Sequence, residues 1–378
     1  MAWNAEFMDT FAHYPVALAQ NLGKWTSATG TAPVAMDIPE DGLKGLQGGF
    51  LSKTLAATTG RIIATRGSTT GNATVETILK CCTDANDHIV WLSVDETNGH
   101  VTMNFPDGSF ITSTQVVITN GAYYNFELAF LYTGVHLVYE VYVDGVKLLD
   151  IGSTYSGTGG ADTPNMTQLR TFQSLGSFPP LFARAWIACK RYSGSGGQWV
   201  ANDLYGTVKR GLLYPSADGN APAGEVGRNW KPDLLTGQFT PRINETIADS
   251  GTSLIFTDVN PMETLSPQNE ATWFMSDSPS DVPNAGLVTD VPHVQVNNLA
   301  SFSGTLGTVY WVIRLDSDTN LANDQHIGDP ANPANAQALT ASFRIYPLAF
   351  GRDPRSGDPW SKSNLDSLEL GVYAYDVI

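Results

Sequence analysis

Side chains that alternate with a period of two, joined by tight-turn dipeptides, limit most strongly how this chain can fold. Segment 137–153, "LVYEVYVDGVKLLDIGS", shows the pattern most clearly. Residues 137–143 alternate between the two faces of a strand, and Asp144-Gly145 supplies the positive φ angles that a two-residue hairpin turn needs. Residues 146–151 then form the returning strand. Both faces of the first strand are rather apolar, which predicts an inner strand of a packed sheet.

The same period recurs along most of the chain. Segment 88–105, "HIVWLSVDETNGHVTMNF", predicts a second hairpin with Asn98-Gly99 at its tip. One short helix is predicted to start near Ser361, which is a suitable N-cap. A dinucleotide-binding βαβ fold would need long alternating helices, and the sequence has none. Further strands are predicted in "RIIATRG", "ATVETILKCC", "YYNFELAFLY", "PPLFARAWIACKRY", "TSLIFTDV", "ATWFMSD", "HVQVNNLASF", "TVYWVIRLDS", "ALTASFRIYPLAF" and "LELGVYAYDVI".

The fold class predicted from this inventory is all-β, with two β-sandwich, jelly-roll-like modules and one or two short helices. A length of 378 residues suits two domains. We expect the first sandwich in 1–214 and the second β-rich sandwich in 233–378. Residues 215–232 are rich in Gly, Pro and Ala, which predicts a linker.

Charge and cysteine content exclude several function classes. A net charge of −16 with no run of Lys or Arg argues against nucleic-acid binding. No stretch of 18 apolar residues is present, so we expect no membrane insertion. The N-terminus lacks the basic start and apolar core of a signal peptide. Cys81, Cys82 and Cys189 have no metal-site spacing and are expected to be buried free thiols of a protein made in a reducing cytosol.

The sequence lacks three common motifs of catalytic and nucleotide-binding sites. It has no GxSxG, HExxH or GxxxxGK[ST] motif, and no His lies at ligand spacing from another His or a Cys. A glycan hydrolase needs two carboxylates across the sugar bond, and no ExDxE triplet supplies them. We therefore predict no catalytic activity, although distant carboxylates that converge in the fold keep glycan hydrolysis as an alternative.

One loop offers oxygen ligands for a cation. Asp316, Asp318, Asn320 and Asp324 are the types of residue that bind Ca²⁺. The loop lacks the Gly and the terminal Glu of the helix–loop–helix calcium pattern. A solvated loop is the competing interpretation, and we expect no other cofactor.

Aromatic residues are candidates for subunit contacts or for stacking on sugars. Trp91, Trp186 and Trp311 lie in β runs and are expected in the core. The candidates for exposed contacts or glycan binding are Trp3, Phe7, Trp199, Trp230 and Trp360. We also expect contacts from the loop 152–165.

An ordered series of short motifs resembles a known family. In the first half, the carrying segments are "FMDTFAHY" (7–14), "LGKWTS" (22–27), "YNFELAF" (124–130) followed by "YEVYVDGVKLL" (139–149), and "FARAWIACKRY" (182–192). In the second half they are "NWKP" (229–232), "RINETIADSGTSLIF" (242–256) and "DPRSGDPWSKSNLDSLELGV" (353–372). This series is similar to the concanavalin-like, laminin-G-like sandwiches of tailed-bacteriophage virion proteins and to the module that follows them.

The resemblance implies a non-enzymatic structural component of a phage virion, either tail-associated or a decoration of the capsid. Its partners would be other virion proteins and copies of itself, in a symmetric oligomer assembled into the particle. The aspartate pair typical of such sandwiches is replaced by "RAWIACKRY", which has no acid. The alternative is a lectin-like adhesin that binds glycans on the host surface.

Overall fold

The structure is a computed structural model of the whole chain. It describes residues 3–12, 24–29, 34–69, 75–82, 88–115, 117–132, 137–151, 166–171, 182–194, 199, 203–208, 210–211, 213, 215–218, 230–232, 255–257, 270–275, 293–300, 308–316, 325–327, 337–338, 340–341, 344–354 and 356–377. The chain forms two compact units, 1–210 and 211–378. The fold is all-β with antiparallel sheets, as predicted.

The first unit contains an eight-stranded sheet, which we call sheet A. Its strands follow in the order β13 (Val146–Ile151), β12 (Leu137–Val143), β11 (Tyr124–Tyr132), β6 (Gly60–Ser68), β15 (Ala183–Tyr192), β4 (Lys44–Gln47) and β3 (Val34–Asp37). The eighth strand, β1 (Trp3–Asp9), also pairs with β15. Every pairing is antiparallel, which allows short connections between neighbours.

The second sheet of this unit, sheet B, has seven strands. Their order is β10 (Phe110–Thr112), β9 (His100–Asn104), β8 (His88–Asp95), β7 (Val75–Cys82), β14 (Gln168–Arg170), β5 (Phe50–Thr54) and β2 (Ser27–Thr29). Together the two sheets form the predicted sandwich.

The core between the sheets consists of the side chains that alternate inward. From sheet A these include Phe126, Leu128 and Phe130, and from sheet B they include Leu92 and Met103, all fully buried. Aromatic rings meet in this layer, which adds to the apolar area that is removed from water. Cys81, Cys82 and Cys189 are also buried, as predicted.

A segment at the end of the unit covers the outer face of sheet A. We call Trp199, residues 203–208 and Arg210 the strap. Tyr205 packs there in one buried cluster with Ile62 and Trp186 of the outer face. Glu127 on β11 accepts hydrogen bonds from the backbone N–H groups of Tyr205 and Gly206, both at 2.7 Å. Strands β6, β11 and β15 are therefore buried on both faces.

Arg210 fastens the end of the strap. Its guanidinium makes a bidentate pair with Asp41, with Nε at 2.8 Å from Oδ2 and the second terminal nitrogen at 3.0 Å from Oδ1. The other terminal nitrogen donates to the carbonyls of Thr10, Lys44 and Ala185. A single side chain thus joins the strap to the end of β1, to the start of β4 and to β15.

The predicted Asp144-Gly145 hairpin is confirmed. Asp144 has φ 48° and Gly145 has φ 77°, the left-handed pair of a type I′ turn. The Asp144 carboxylate accepts the backbone N–H of Asn125 at 2.9 Å, so the turn is also tied to β11. The second predicted hairpin joins β8 and β9, but its loop has four residues. Among the residues of that loop only Gly99 has a positive φ, so Asn98-Gly99 is not a two-residue turn.

The second unit is built around a six-stranded sheet. Its strands follow in the order β16 (Pro215–Asp218), β19 (Glu270–Met275), β25 (Glu369–Val377), β21 (Thr308–Asp316) and β22 (Gln325–Ile327), and β23 (Gln337–Ala338) also pairs with β21. Two-stranded sheets join β17 (Trp230–Pro232) to β18 (Ile255–Thr257), and β20 (Val294–Ala300) to β24 (Arg344–Phe350). The predicted helix is α1 (Lys362–Asp366), with Ser361 as its N-cap.

The structure differs from the expected linker. Residues 215–218 form β16 and pair with β19 of the second unit, and residues 230–232 form β17. Backbone pairing to a neighbouring strand overrides the Gly- and Pro-rich composition at both ends. Residues 219–229 lie outside the described part of the chain.

Candidate functional site

The outer face of sheet B differs from the outer face of sheet A. In β9, Val101 and Met103 are buried while the intervening residues are half-exposed. In β8, Val90 and Leu92 are buried and Trp91 between them is half-exposed. Strand β9 and the Trp91 end of β8 therefore keep a partly exposed outer face, although Ser93 on that face is buried, whereas the strap covers the corresponding face of sheet A.

Strand register aligns five side chains across the outer face of sheet B, which is partly exposed at β8 and β9 and closed at β7. Phe110 pairs with Asn104, and Asn104 pairs with Trp91. Trp91 pairs with Lys80, and Lys80 pairs with Arg170. We call these five residues the sheet B row. Because neighbouring strands lie about 4.8 Å apart, the row spans about 19 Å from Phe110 to Arg170.

The two aromatic rings of the row lie at its accessible end. Phe110 is 66% exposed, and Trp91 is half-exposed. Between them, Asn104 donates from Nδ2 to Ser93 Oγ at 2.9 Å, which fixes the plane of its amide. An amide between two aromatic side chains offers polar atoms beside an apolar surface, the combination that a sugar ring can use with its hydroxyl groups and its C–H face.

Hydroxyl groups flank the row on the same face. Thr102 and Thr112 are cross-strand partners whose hydroxyls lie 2.9 Å apart. Ser93 pairs with Thr102 one strand further in. This second line of polar groups lies about 6.6 Å from the row, two residues along each strand.

The other end of the row carries two positive charges. The Lys80 ammonium lies 5.2 Å from the Trp91 ring centroid, in cation–π geometry. Burial lowers the pKa of Lys80 to about 8, while the Cys82 thiol opposes this shift and the neighbouring Arg170 adds to it. Arg170 is half-exposed, and its Nε and one terminal nitrogen donate to Gln168 Oε1 at 3.2 and 2.7 Å.

Two carboxylates meet elsewhere, at the edge of sheet A. Glu140 and Asp150 are cross-strand partners, and the Lys147 ammonium lies 3.1 Å from Glu140 Oε1 and 2.7 Å from Asp150 Oδ2. The Tyr142 hydroxyl and the Trp199 indole N–H also donate to Glu140. Burial, followed by the hydrogen bond to Glu140, raises the pKa of Tyr142 to about 12. The hydrogen bonds to Asp150 and Glu140 raise the pKa of Lys147 as well.

This arrangement is an ion-pair cluster and not a pair of catalytic carboxylates. A retaining glycosidase places two carboxyl groups roughly 5–5.5 Å apart with the sugar between them. Here the Lys147 ammonium occupies that space and stays charged. The cluster holds Trp199 of the strap against β12, which is a structural role.

Three of the five aromatic residues predicted to make contacts or to bind glycan are buried. Phe7 is 2% exposed and its ring lies 5.1 Å from that of Trp25, inside the sandwich. Trp3 is buried beneath the strap, with its ring 4.9 Å from that of Tyr192. Trp360 is 1% exposed and donates from its indole nitrogen to the Phe350 carbonyl at 3.3 Å. We therefore correct the expectation for these three residues, because interior rings have no free surface to offer a partner.

The remaining candidates have different outcomes. Trp199 is half-buried and packs edge-to-face on Trp3 at 6.4 Å, so part of its surface stays accessible. Trp230 starts β17, and its side chain lies outside what the structure describes. The loop 152–165 also lies outside. Both remain predictions.

The calcium candidate falls mostly outside the described residues. Asp316 ends strand β21, whereas Asp318, Asn320 and Asp324 lie outside. Within the described ranges, no group of three or more His, Cys, Asp or Glu side chains lies together as a metal site would require. No described helix is long and apolar enough to cross a membrane.

Sequence reasoning missed the residue at the centre of the row. Trp91 was expected in the core because it lies in a β run, but it is half-exposed on the outer face. The signal was present in "HIVWLSVD", where Trp91 shares its strand face with Ser93 and Asp95 while Val90 and Leu92 share the other. Trp186, which was also expected in the core, is buried. The side chain of Trp311 lies outside the described residues.

Comparisons with known proteins gave structural matches alone. No protein-family model matches the chain, and neither does any curated protein sequence. A sialidase of Trypanosoma rangeli is 16% identical and has a TM-score of 0.32, with 43% of this chain and 27% of the sialidase covered. The chain therefore spans about a quarter of that enzyme's length.

Two smaller proteins also match. The homodimeric agglutinin CG-16 from chicken liver is 12% identical over 37% of this chain and 98% of its own, with a TM-score of 0.28. A CBM40 module of the Ruminococcus gnavus IT-sialidase, bound to α2,3-sialyllactose, is 13% identical over 39% of this chain and 82% of its own, with a TM-score of 0.30. None of these three is a phage protein, so the phage origin remains a prediction. At these scores the matches carry no argument about function.

Proposed function

We propose that the protein is a non-enzymatic glycan-binding protein that uses the outer face of sheet B. The observation that carries this proposal is the sheet B row, in which Phe110 and Trp91 flank the Asn104 amide on an open, rigid face. Binding sites of this kind combine apolar ring surface with a few fixed polar groups that set orientation. Because the row lies on paired strands, the site needs little ordering when a ligand binds.

Binding without hydrolysis fits the distribution of acids on this face. The sheet B row itself contains no carboxylate. Asp95 lies on the same strand face as Trp91 but four residues away, at about 13 Å, and its oxygens accept hydrogen bonds from Thr97 and Asn98. A general acid and a second carboxylate across a sugar bond are therefore lacking at the described row.

The test compares two tryptophans on opposite sides of the sandwich. We expect Trp91→Ala to weaken glycan binding at least about tenfold, roughly 1.4 kcal/mol, because the central ring is lost. Trp91→Phe should retain part of the affinity. Trp199→Ala is the matched control, since it removes a half-buried tryptophan from the strap and should leave binding unchanged.

The measurement is a glycan-array screen of the full chain, followed by calorimetric titration of a ligand that binds. Circular dichroism of each variant checks that the sheets are retained. Loss of binding in Trp199→Ala with retention in Trp91→Ala would place the site on sheet A and refute the proposal. No binding to any glycan on the array would also refute it.

A structural role in a phage virion is the second candidate function. It is supported by the motif series of the sequence and by the edge of sheet B. Strand β10 is an edge strand whose three residues are all exposed, including Phe110 and Ile111. Exposed apolar edge strands pair readily with another chain, either a second copy or another virion protein. If this edge joins copies of the chain, the double variant Phe110→Ser, Ile111→Ser should convert an oligomer into monomers, as measured by light scattering. Glycan affinity should fall only by the contribution of the Phe110 ring.

A further inference from the structure

Strand β10 forms one edge of sheet B and offers backbone groups to a further strand. Among the described strands it pairs with β9 on one side and with none on the other. The N–H of Ser113 donates to the Val101 carbonyl of β9 at 2.8 Å. Because backbone groups alternate in direction along an antiparallel strand, Ile111 also faces β9. Phe110 and Thr112 therefore turn their N–H and C=O groups outward.

The side chains of β10 are exposed on both faces of the sheet. Phe110 is 66% exposed on the outer face, where it ends the sheet B row. Ile111 is 38% exposed and lies on the inner face, since its cross-strand partner Met103 is fully buried in the core. The core layer therefore ends at β10 with an apolar side chain that is only partly covered. A further strand on this edge would cover it.

The charge distribution favours a second copy of the chain as the occupant of this edge. The net charge is −16, so two copies repel each other in most orientations. Segment 108–126, which includes β10, contains no charged residue. Edge strands that resist association commonly carry a Lys or another charge, and β10 carries none. Two copies of this acidic chain can therefore meet here at a low electrostatic cost.

We propose that two copies of the chain pair antiparallel through β10, about a two-fold axis beside Ile111. Phe110 of one copy then lies opposite Thr112 of the other, and each such pair exchanges both of its N–H···O=C hydrogen bonds. The two Ile111 side chains form the pair between them, with Cβ atoms about 5 Å apart on the inner face. One surface patch serves both copies, as two-fold symmetry requires.

This pairing joins the two sheet B rows into one face. A two-fold axis perpendicular to the sheet leaves the outer faces of both copies pointing the same way. Five strand spacings of about 4.8 Å separate Trp91 of one copy from Trp91 of the other, which gives about 24 Å. The dimer therefore presents two glycan sites to one surface. This consequence rests on the glycan-binding function proposed above, whereas the pairing itself does not.

Analytical ultracentrifugation of the full chain tests the pairing. A short strand buries little area, so we expect monomers to convert to dimers between about 1 and about 200 µM. Ile111→Lys and Ile111→Asp each place like charges opposite each other across the axis, so each variant alone should stay monomeric. Mixed in equal amounts, the two variants should form dimers again, because opposite charges then meet.

Two controls accompany these variants. Val34→Lys adds the same charge at an exposed apolar residue of β3, the edge strand of sheet A, and should dimerise like the natural protein. Circular dichroism checks that every variant keeps its sheets.

A glycan array printed at low and at high density tests the two-site face. The natural protein should bind dense spots at least about tenfold more tightly than Ile111→Lys does, because the second site of a dimer binds at a high effective concentration. On sparse spots the two proteins should agree within about twofold. Trp91→Ala should weaken binding at both densities and still dimerise.

The outcomes separate the pairing from the glycan-binding function. A chain that stays monomeric up to about 200 µM would overturn the pairing and leave the function standing. Dimers that survive both Ile111 variants, or variants that fail to combine when mixed, would overturn the assignment to β10. Equal binding of dense spots by the natural protein and Ile111→Lys would overturn the two-site face. Dimers that bind no glycan would support the pairing and overturn the function.

Discussion

Glu127 offers the sharpest test of how the strap closes the outer face of sheet A. Its two carboxylate oxygens accept the backbone N–H groups of Tyr205, which is buried, and of Gly206, which is half-buried, both at 2.7 Å. Glu127→Ala removes both acceptors and leaves one buried and one half-buried donor unpaired. At about 1–3 kcal/mol for each orphaned group, we expect the free energy of unfolding to fall by about 3 kcal/mol. For a unit of this size, that lowers Tm by about 6–12 °C.

Glu127→Gln separates the role of the acceptor from that of the charge. Burial raises the pKa of Glu127, and the hydrogen bonds from Tyr205 and Gly206 and the charge of Lys190 offset part of that rise. Because the folded pKa lies above the ordinary value of 4.5, the folded state holds the proton more tightly. The resulting stabilisation is present below pH 4.5 and is lost as pH rises through the folded pKa.

An amide is neutral and offers one oxygen for the two N–H donors, so it keeps one of the two hydrogen bonds. We expect Glu127→Gln to cost about 1.5 kcal/mol at pH 7, roughly half the cost of Glu127→Ala. We also expect the natural protein to lose stability relative to Glu127→Gln as the pH rises from 4 to 7.

The assay is urea unfolding followed by tryptophan fluorescence, combined with hydrogen exchange of the peptide covering 203–208. Glu127→Ala should lower the urea midpoint and speed exchange in that peptide. Asp37→Ala, an exposed carboxylate in an ion pair with Lys44, is the control and should change stability by less than about 0.5 kcal/mol. Equal destabilisation by the Ala and Gln variants, or unchanged exchange in Glu127→Ala, would refute the reasoning.

Two further predictions concern glycines of the sandwich. Gly67→Ala should prevent folding of the first unit, because a Cβ there would overlap the Phe182 ring and the Ala183 carbonyl; Gly108→Ala, with open space around it, should cost only about 1 kcal/mol. Soluble expression and thermal unfolding check both, and a stable Gly67→Ala protein would contradict the packing.

Local structure was predictable where local chemistry decides it. The Asp144-Gly145 turn follows from the two residues alone, since they adopt positive φ at little cost. The Ser361 cap of α1 is equally local: its side chain accepts the N–H of Asn364. The strands themselves follow from the period of two.

Contacts between distant segments were not predictable in the same way. Whether a strand has one buried face or two depends on the strap, which reaches sheet A from Trp199, residues 203–208 and Arg210. The burial of Trp3 and Phe7 depends on β15, more than 180 residues away, with which their strand pairs. A single sequence has no local signal for such pairings, because hydrogen bonds between strands are the same for any two partners.

The candidate site was predictable only in part. Trp91 lies on the strand face opposite to Val90 and Leu92, so its half-exposed position could be predicted from the alternation in the sequence. Its neighbours in the row come from strands β7, β9, β10 and β14, and only the register brings Lys80, Asn104 and Arg170 beside it. The site therefore emerges from sheet order and not from a motif.

Mapping a bound glycan onto the chain tests the central claim most directly. With a ligand identified on the array, amide and indole chemical shifts can be followed through a titration of the isotope-labelled full chain. We predict that the largest changes fall on the Trp91 indole and on the Asn104 amide. Changes confined to the strap or to residues 211–378, with the sheet B row unaffected, would contradict the account.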